Sequence, residues 1–215
     1  MSGALQAIFQ NQRSFTEPPP TVIGQSYGGG YYAGQISTTA NGVATHYLVV
    51  APKSSGQANK KIYPTYTSIS GTNYAINGPV NTSNLYATGN SDAANFVTGL
   101  SIGGYTDWYI PARFELEVLY YNLKPTTTSN YSGYGSNSYS VPQRNSQYTS
   151  GDPAQTSATI FRDSNSEAFD VVSYWSSTES GSNTTWDIWF GGGVSPNNNS
   201  KLNANACRAI RRVAV

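Results

Sequence analysis

One cysteine, Cys207, and one histidine, His46, are all the sequence holds of those two residue types. A lone thiol cannot close an intrachain disulfide, which excludes a disulfide-stapled secreted scaffold, and one Cys with one His cannot build a Cys/His zinc site. Charge is scarce too, at 11% of residues with a formal net charge of +1. The electrostatic footprint of a nucleic-acid or anionic-membrane binder is therefore missing, and a partner must be neutral or recognised locally. No stretch approaches the ~20 apolar residues of a membrane span, so membrane insertion is not expected. Met1 to Phe9 carry no basic region and only a short, interrupted apolar run, which does not read as a signal peptide. The expectation is a chain not exported by the usual route, although carriage on a particle would still bring it outside a cell.

What is present is a set of 17 tyrosines, 4 tryptophans and 21 glycines, with many Asn, Ser and Thr. That bias suits short strands, polar loops and an amphipathic aromatic surface of the kind binding faces use. At 215 residues the chain is one domain's worth. A chain of this size buries about 70% of its unfolded surface and needs no staple.

Residues 1–21 read as an arm, with Leu5, Ile8 and Phe9 forming an apolar cluster ahead of Pro18-Pro19-Pro20, an extended polyproline signal. Two readings of it stand, a disordered tail and a docking peptide buried against a partner or neighbouring subunit. Residues 22–215 read as the domain. Gly28-Gly29-Gly30 is no phosphate loop, because no Gly-Lys-Ser/Thr follows and the next residues are strand-like. Runs from Tyr31 to Ile36 and from Thr45 to Ala51 flank Asn41-Gly42, a tight-turn dipeptide, and predict a hairpin. Residues 52 to 90 are polar and turn-rich, with an edge strand expected at Ile62 to Thr67 around Pro64. Ser91 is the expected cap of a short helix ending near Gly99. The segment from Thr126 to about Asp170 predicts long ordered loops, with Tyr131, Tyr134, Tyr139 and Tyr148 laid over a core. Closing strands are expected at Val171 to Ser177, Thr184 to Phe190 and Ala206 to Val213. Along the last, either Cys207 and Ala209 or Ile210 faces inward.

The densest stretch is Gly103 to Leu116. A Gly pair, Asp107-Trp108 and Pro111 precede an apolar stripe of Leu116, Leu119, Tyr120 and Leu123 at helical spacing. Pro111 bars a helix before it and Pro125 closes the pattern.

Gly104 to Pro111, leading into Glu115-Leu116, resembles the "GG-x-x-DW-R-LP-T-R-x-EL" signature of the Lcl-type (collagen-like adhesin) C-terminal domain family. Tyr174-Trp175-Ser176-Ser177-Thr178-Glu179, then Trp186 and the terminal Arg208-Ala209-Ile210-Arg211-Arg212, resembles that family's "YWSSTE … W … VRxVR" ending. Ile23 to Gly30 is similar to its opening strand, and together the matches cover roughly residues 22 to 213. Tyr109 stands where the signature has Arg. Ala112 replaces its Thr, which removes the side-chain helix cap. The resemblance implies an α+β, C-type-lectin-like fold, with two helices on small antiparallel sheets and long loops on one face. It also implies a setting in bacterial adhesins or bacteriophage virion proteins.

Under it Trp108, Trp175 and Trp186 are expected in the core, Asp107 and Glu179 bracing loops through backbone hydrogen bonds. Arg208 and Arg211 are expected near Glu115 and Glu179. Glu115 and Glu117, two apart on a helix, point to different sides and offer no convergent acid pair, so no enzyme is expected. Asn183, Asp187 and Glu179 resemble a calcium site only loosely, and no metal or cofactor is expected. The expected contact surface is Asn183, Asp187, Trp189, Asn197, Asn198, Asn199, Lys201, Asn203 and Asn205, joined by Tyr131, Tyr134 and Tyr139. There amides meet sugar hydroxyls and a ring stacks on a pyranose. In that reading Trp186, Ile188 and Phe190 face inward and Asp187 and Trp189 outward, while a solvated turn with Trp189 buried stays open. The functional expectation is a bacteriophage virion surface protein, a homo-oligomer with a trimer favoured. Its arm would dock to other virion proteins and its loops would meet a host surface polysaccharide. A capsid or tail decoration protein without a receptor role, and a bacterial adhesin, are the alternatives.

Overall fold

Asn41-Gly42 turns the chain back on itself, with Gly42 at a φ of 80° that an L side chain resists. The flanking strands β2 (Gly30–Ile36) and β3 (His46–Val50) pair antiparallel from Tyr31 opposite Val50 to Ile36 opposite His46. The computed structural model describes residues 17–195 and 199–215. Leu5, Ile8 and Phe9 of the arm lie outside them, while Glu17 accepts a 2.7 Å hydrogen bond from the Gly28 amide.

Two five-stranded sheets organise the chain. The first runs β1 (Ser26–Tyr27), β2, β3 and β10 (Ile210–Ala214), with β5 (Ser140–Val141) also on β2. The second runs β4 (Gln57–Lys60), β9 (Asn205–Arg208), β6 (Ser173–Glu179), β7 (Thr184–Trp189) and β8 (Asn199–Ser200). All pairings are antiparallel except β6 with β9, so the fold is mixed α/β with two curled, antiparallel-rich sheets and few helices.

The expected edge strand at Ile62 to Thr67 is not formed. The edge strand lies earlier, as β4, and Ile62 and Tyr63 point into the core instead. Among the described residues there are four α-helices rather than two: α1 (Lys53–Gly56, a single turn), α2 (Gly78–Ala87), α3 (Asp92–Thr98) and α4 (Arg113–Leu123). Ser91 caps α3 as expected, its hydroxyl accepting from the Ala94 amide at 3.1 Å. The predicted closing strand splits at Ala209 into β9 and β10, one in each sheet. Ala206 to Ile210 are all buried, so the choice between inward faces dissolves.

One core gathers Leu116, Leu119, Tyr120 and Leu123 of α4 with Phe161, Phe169, Tyr174, Ile188 and Phe190. The other gathers Trp108, Trp175 and Cys207 with Leu85, Ala93, Ala94 and Val97 of α2 and α3. Burial pushes the Cys207 thiol up to about 12, so it stays protonated. The long segment after Pro125 is ordered by buried amides. Asn130 accepts from the Tyr120 hydroxyl at 2.6 Å and donates to the carbonyls of Thr149 and Pro153.

Ala112 offers no side-chain cap to α4, and two other groups stand in. Thr178 Oγ1 accepts from the Arg113 amide at 2.9 Å, and Glu115 Oε2 reaches back to the Ala112 amide at 2.8 Å. Gly103, at φ 61°, lets its loop close on Gly29: a Cβ there would stand 2.6 Å from the Gly29 Cα. Trp108 is buried and donates its indole N–H to the Tyr105 carbonyl at 3.0 Å.

Candidate functional site

Strands β6 and β7 form the hairpin that carries most of the expected contact surface. Trp175 pairs with Asp187 and Ser173 with Trp189, so these side chains share one face. On that face Trp175 joins the second core, while Tyr174 and Ile188 on the other join the first. With both faces of the sheet buried, in-and-out alternation no longer means core and solvent. Asp187 is accordingly buried rather than outward, and burial raises its pKa against the opposing pull of the Ser173 and Asn199 side chains. Trp186 is only half-buried, capped by the Arg113 guanidinium 3.6 Å from the ring centroid.

Lys201 also leaves the expected surface. It is fully buried, its Nζ 3.1 Å from Glu179 and 2.9 Å from the Thr67 carbonyl. An ammonium with two fixed acceptors can be buried where a free one cannot. The remaining residues fall into two patches. At the start of β7, exposed Asn183 accepts from the Lys201 amide through its carbonyl, and Asn203 donates to the Asn199 side chain at 2.9 Å. At the far end of β7, about 16 Å away at the usual strand rise, Trp189 meets Tyr131 at 6.1 Å between centroids. Asn205 lies on β9, separated from β7 by β6. Tyr134 packs on the first core and Tyr139 on Phe114, at 5.3 Å. Asn197 and Asn198 lie outside the described residues.

The Tyr131–Trp189 pair is shaped by glycine. A Cβ on Gly191 would stand 2.3 Å from Trp189 Cζ2, and one on Gly192 would stand 2.8 Å from Tyr131 Cδ2. The Tyr131 amide donates to the Gly192 carbonyl at 2.9 Å. Two rings thus lie against bare backbone, Trp189 half-buried and Tyr131 55% exposed.

The terminal arginines take different partners from those expected. Arg208 pairs with Glu167 at 2.7 Å and Arg212 with Glu115 at 2.8 Å. Arg211 forms a two-pronged pair with Asp107 at 2.7 and 2.9 Å, so Asp107 braces its loop through an arginine and not through backbone donors. Glu179 does accept from backbone, the Ile69 amide at 2.9 Å, and from the Thr72 hydroxyl. Among the described residues no three His, Cys, Asp or Glu side chains group to hold a metal. Nor is any described helix long and apolar enough to cross a membrane.

A feature absent from the sequence reading lies between α4 and β5. There a cleft of about 240 Å³ is lined by Val118, Tyr121, Asn122, Val141, Gln143 and Arg144. The helical spacing of Val118, Tyr121 and Asn122 was its one sequence signal, and it is also the signal of a core face.

No family model, curated protein or solved structure matches the chain.

Proposed function

We propose that this protein is a bacteriophage virion component, displayed on the particle surface, whose C-type-lectin-like domain holds a host-envelope glycan against Tyr131 and Trp189. The observation that carries the reading is the pair itself: an exposed and a half-buried ring held on a glycine turn, which costs little conformational entropy to present. Such faces stack on pyranose rings, and the Asn183, Asn199 and Asn203 amides, about 16 Å away at the other end of β7, offer donors and acceptors to hydroxyls of a longer chain. Placement on a virion rests on the family resemblance of the Gly104–Pro111 and Tyr174–Glu179 blocks. The arm is the segment that would attach to other virion proteins, and a trimer is the arrangement proposed.

Glycan-array and whole-cell binding of the purified protein test the reading. Retention on host cells, lost in Trp189→Ala with the fold intact by circular dichroism, is the expected result. Absence of binding to cells and to extracted polysaccharide at high protein concentration overturns it. Particles lacking the protein that adsorb normally but break easily would favour a decoration role instead.

A further inference from the structure

The cleft between α4 and β5 holds Arg144, a guanidinium left without an acid of its own. Arg208, Arg211 and Arg212 each grip a carboxylate. Arg144 makes no ion pair within 4.0 Å, and its sole side-chain hydrogen bond among the described residues is a long one, Nη2 to the Glu117 carbonyl at 3.5 Å. Its guanidinium is stacked instead, 4.1 Å from the Tyr121 ring centroid, which fixes the planar fork without using its donors. Its Nε is buried and unpartnered. A second guanidinium, Arg113, stands 3.6 Å from the shared Glu117, so two cations face that one carboxylate. Asp152, also at this end, accepts from the Tyr121 hydroxyl at 3.1 Å.

The rest of the wall has the opposite polarity. Asn122 spends its amide N–H on the Ala33 carbonyl at 2.8 Å, and Gln143 spends its own on Ala40 and Ser138. That leaves Asn122 Oδ1 and Gln143 Oε1 as acceptors with no partner among the described residues. Val118 and Val141 supply apolar surface between them. A volume near 240 Å³ is below the 300–1,000 Å³ of drug-sized sites and suits a single sugar ring.

The geometry points to a site for one carboxylated pyranose, a uronic-acid unit, with its carboxylate on the Arg144 fork and its hydroxyls donating to Asn122 Oδ1 and Gln143 Oε1. The choice of a sugar rests on the glycan-binding reading above; the acid-selecting arginine is independent of it. A planar guanidinium matches a carboxylate with two parallel hydrogen bonds, which a neutral sugar cannot return. The site is separate from the Tyr131–Trp189 platform.

The experiment titrates the whole protein with glucuronate, galacturonate, glucose and acetate by ligand-observed NMR, and with an acidic and a neutral polysaccharide. A uronate is expected to bind at least tenfold more tightly than glucose or acetate. Arg144→Gln should abolish this preference with the circular dichroism unchanged, and Trp189→Ala should leave it intact. If Arg144→Gln fails to fold, Arg144→Lys decides, because it keeps the charge and loses the fork; a loss of at least threefold is expected. Equal binding of glucose or acetate, no binding of either uronate, or undiminished uronate binding by the folded Arg144 variants overturns the proposal. Failure of the platform alone would show as Trp189→Ala keeping full polysaccharide binding. Acidic polysaccharide held more tightly than the free uronate identifies the polymer as the source of the ring, and free uronate held as well as polymer identifies a soluble acid.

Discussion

Glu115 and Arg212, 97 residues apart in sequence, meet at 2.8 Å with the carboxylate fully buried. The same carboxylate accepts from the Tyr109 hydroxyl, from the Ala112 amide at 2.8 Å and from the Gly78 amide at 3.1 Å. One side chain thus joins the start of α4, the start of α2 and the last strand. Tyr109, which stands where the family signature has Arg, meets this carboxylate with a neutral hydroxyl, kept protonated by burial and by Glu115 itself. Replacing Glu115 by Ala strands a guanidinium, a hydroxyl and two amides. The expected cost is about 3–5 kcal/mol, as for breaking one side of a buried ion pair, read from urea denaturation.

Trp108 is closed over by the second core and tied by its N–H to Tyr105. Trp108→Ala is expected to cost ~3–5 kcal/mol, the usual loss for a buried large aromatic. A Trp108→Ala protein with unchanged denaturation midpoint but no glycan binding would contradict this structural assignment.

Glu117 is a pH-dependent liability. Burial raises its acid to about 7 from 4.5, against the opposing pull of Arg113 and Arg144. The folded state then holds more protons than the unfolded one between pH 4.5 and 7, so stability contributed at this site is present in acid and falls as pH rises through that window. The shift corresponds to a few kcal/mol at most, at about 1.4 kcal/mol per unit. Glu117→Gln is expected to flatten the melting-temperature profile over that range and to raise stability above pH 7. A mutant whose profile still declines in parallel with wild type would rule out Glu117 as the origin.

Gly191 is expected to tolerate no side chain. Its Cβ would fall 2.3 Å from the Trp189 ring, so Gly191→Ala must displace the indole at a cost of ~1–3 kcal/mol, typical of overpacking. Tryptophan fluorescence should shift and polysaccharide binding should weaken. An unchanged emission spectrum together with full binding would mean that the ring is not held by the turn.

Local chemistry was legible in the sequence and cross-sheet packing was not. Asn41-Gly42, Ser91 and the Pro111-to-Pro125 frame of α4 act within a few residues, and each did what its turn or cap chemistry dictates. Helix α2 escaped notice because Gly78–Ala87 carries little apolar periodicity; its signals were Asn77, which caps the Val80 amide, and Pro79 in the first turn. Asp187 and Lys201 were misread for a different reason. A strand's alternation reports two faces but not what covers them, and at Asp187 both are covered, while Lys201, on a turn, is drawn in by Glu179 on β6. The Arg144 cleft depends on α4 meeting β5 across a long polar segment, a juxtaposition no window of sequence contains.

Ala209 donates to the Gly56 carbonyl and accepts from the Ala51 amide, with β9 in one sheet just before it and β10 in the other just after. During synthesis this makes the order of events unforgiving. Each sheet has its partner strand waiting until the segment from Asn205 to Ala214 is made, and contacts this distant in sequence close slowly. A ribosome that stalled before Cys207 would release not a shortened domain but a chain with two open sheets and two unsealed cores. The two sheets therefore become complete together, when this one segment pairs.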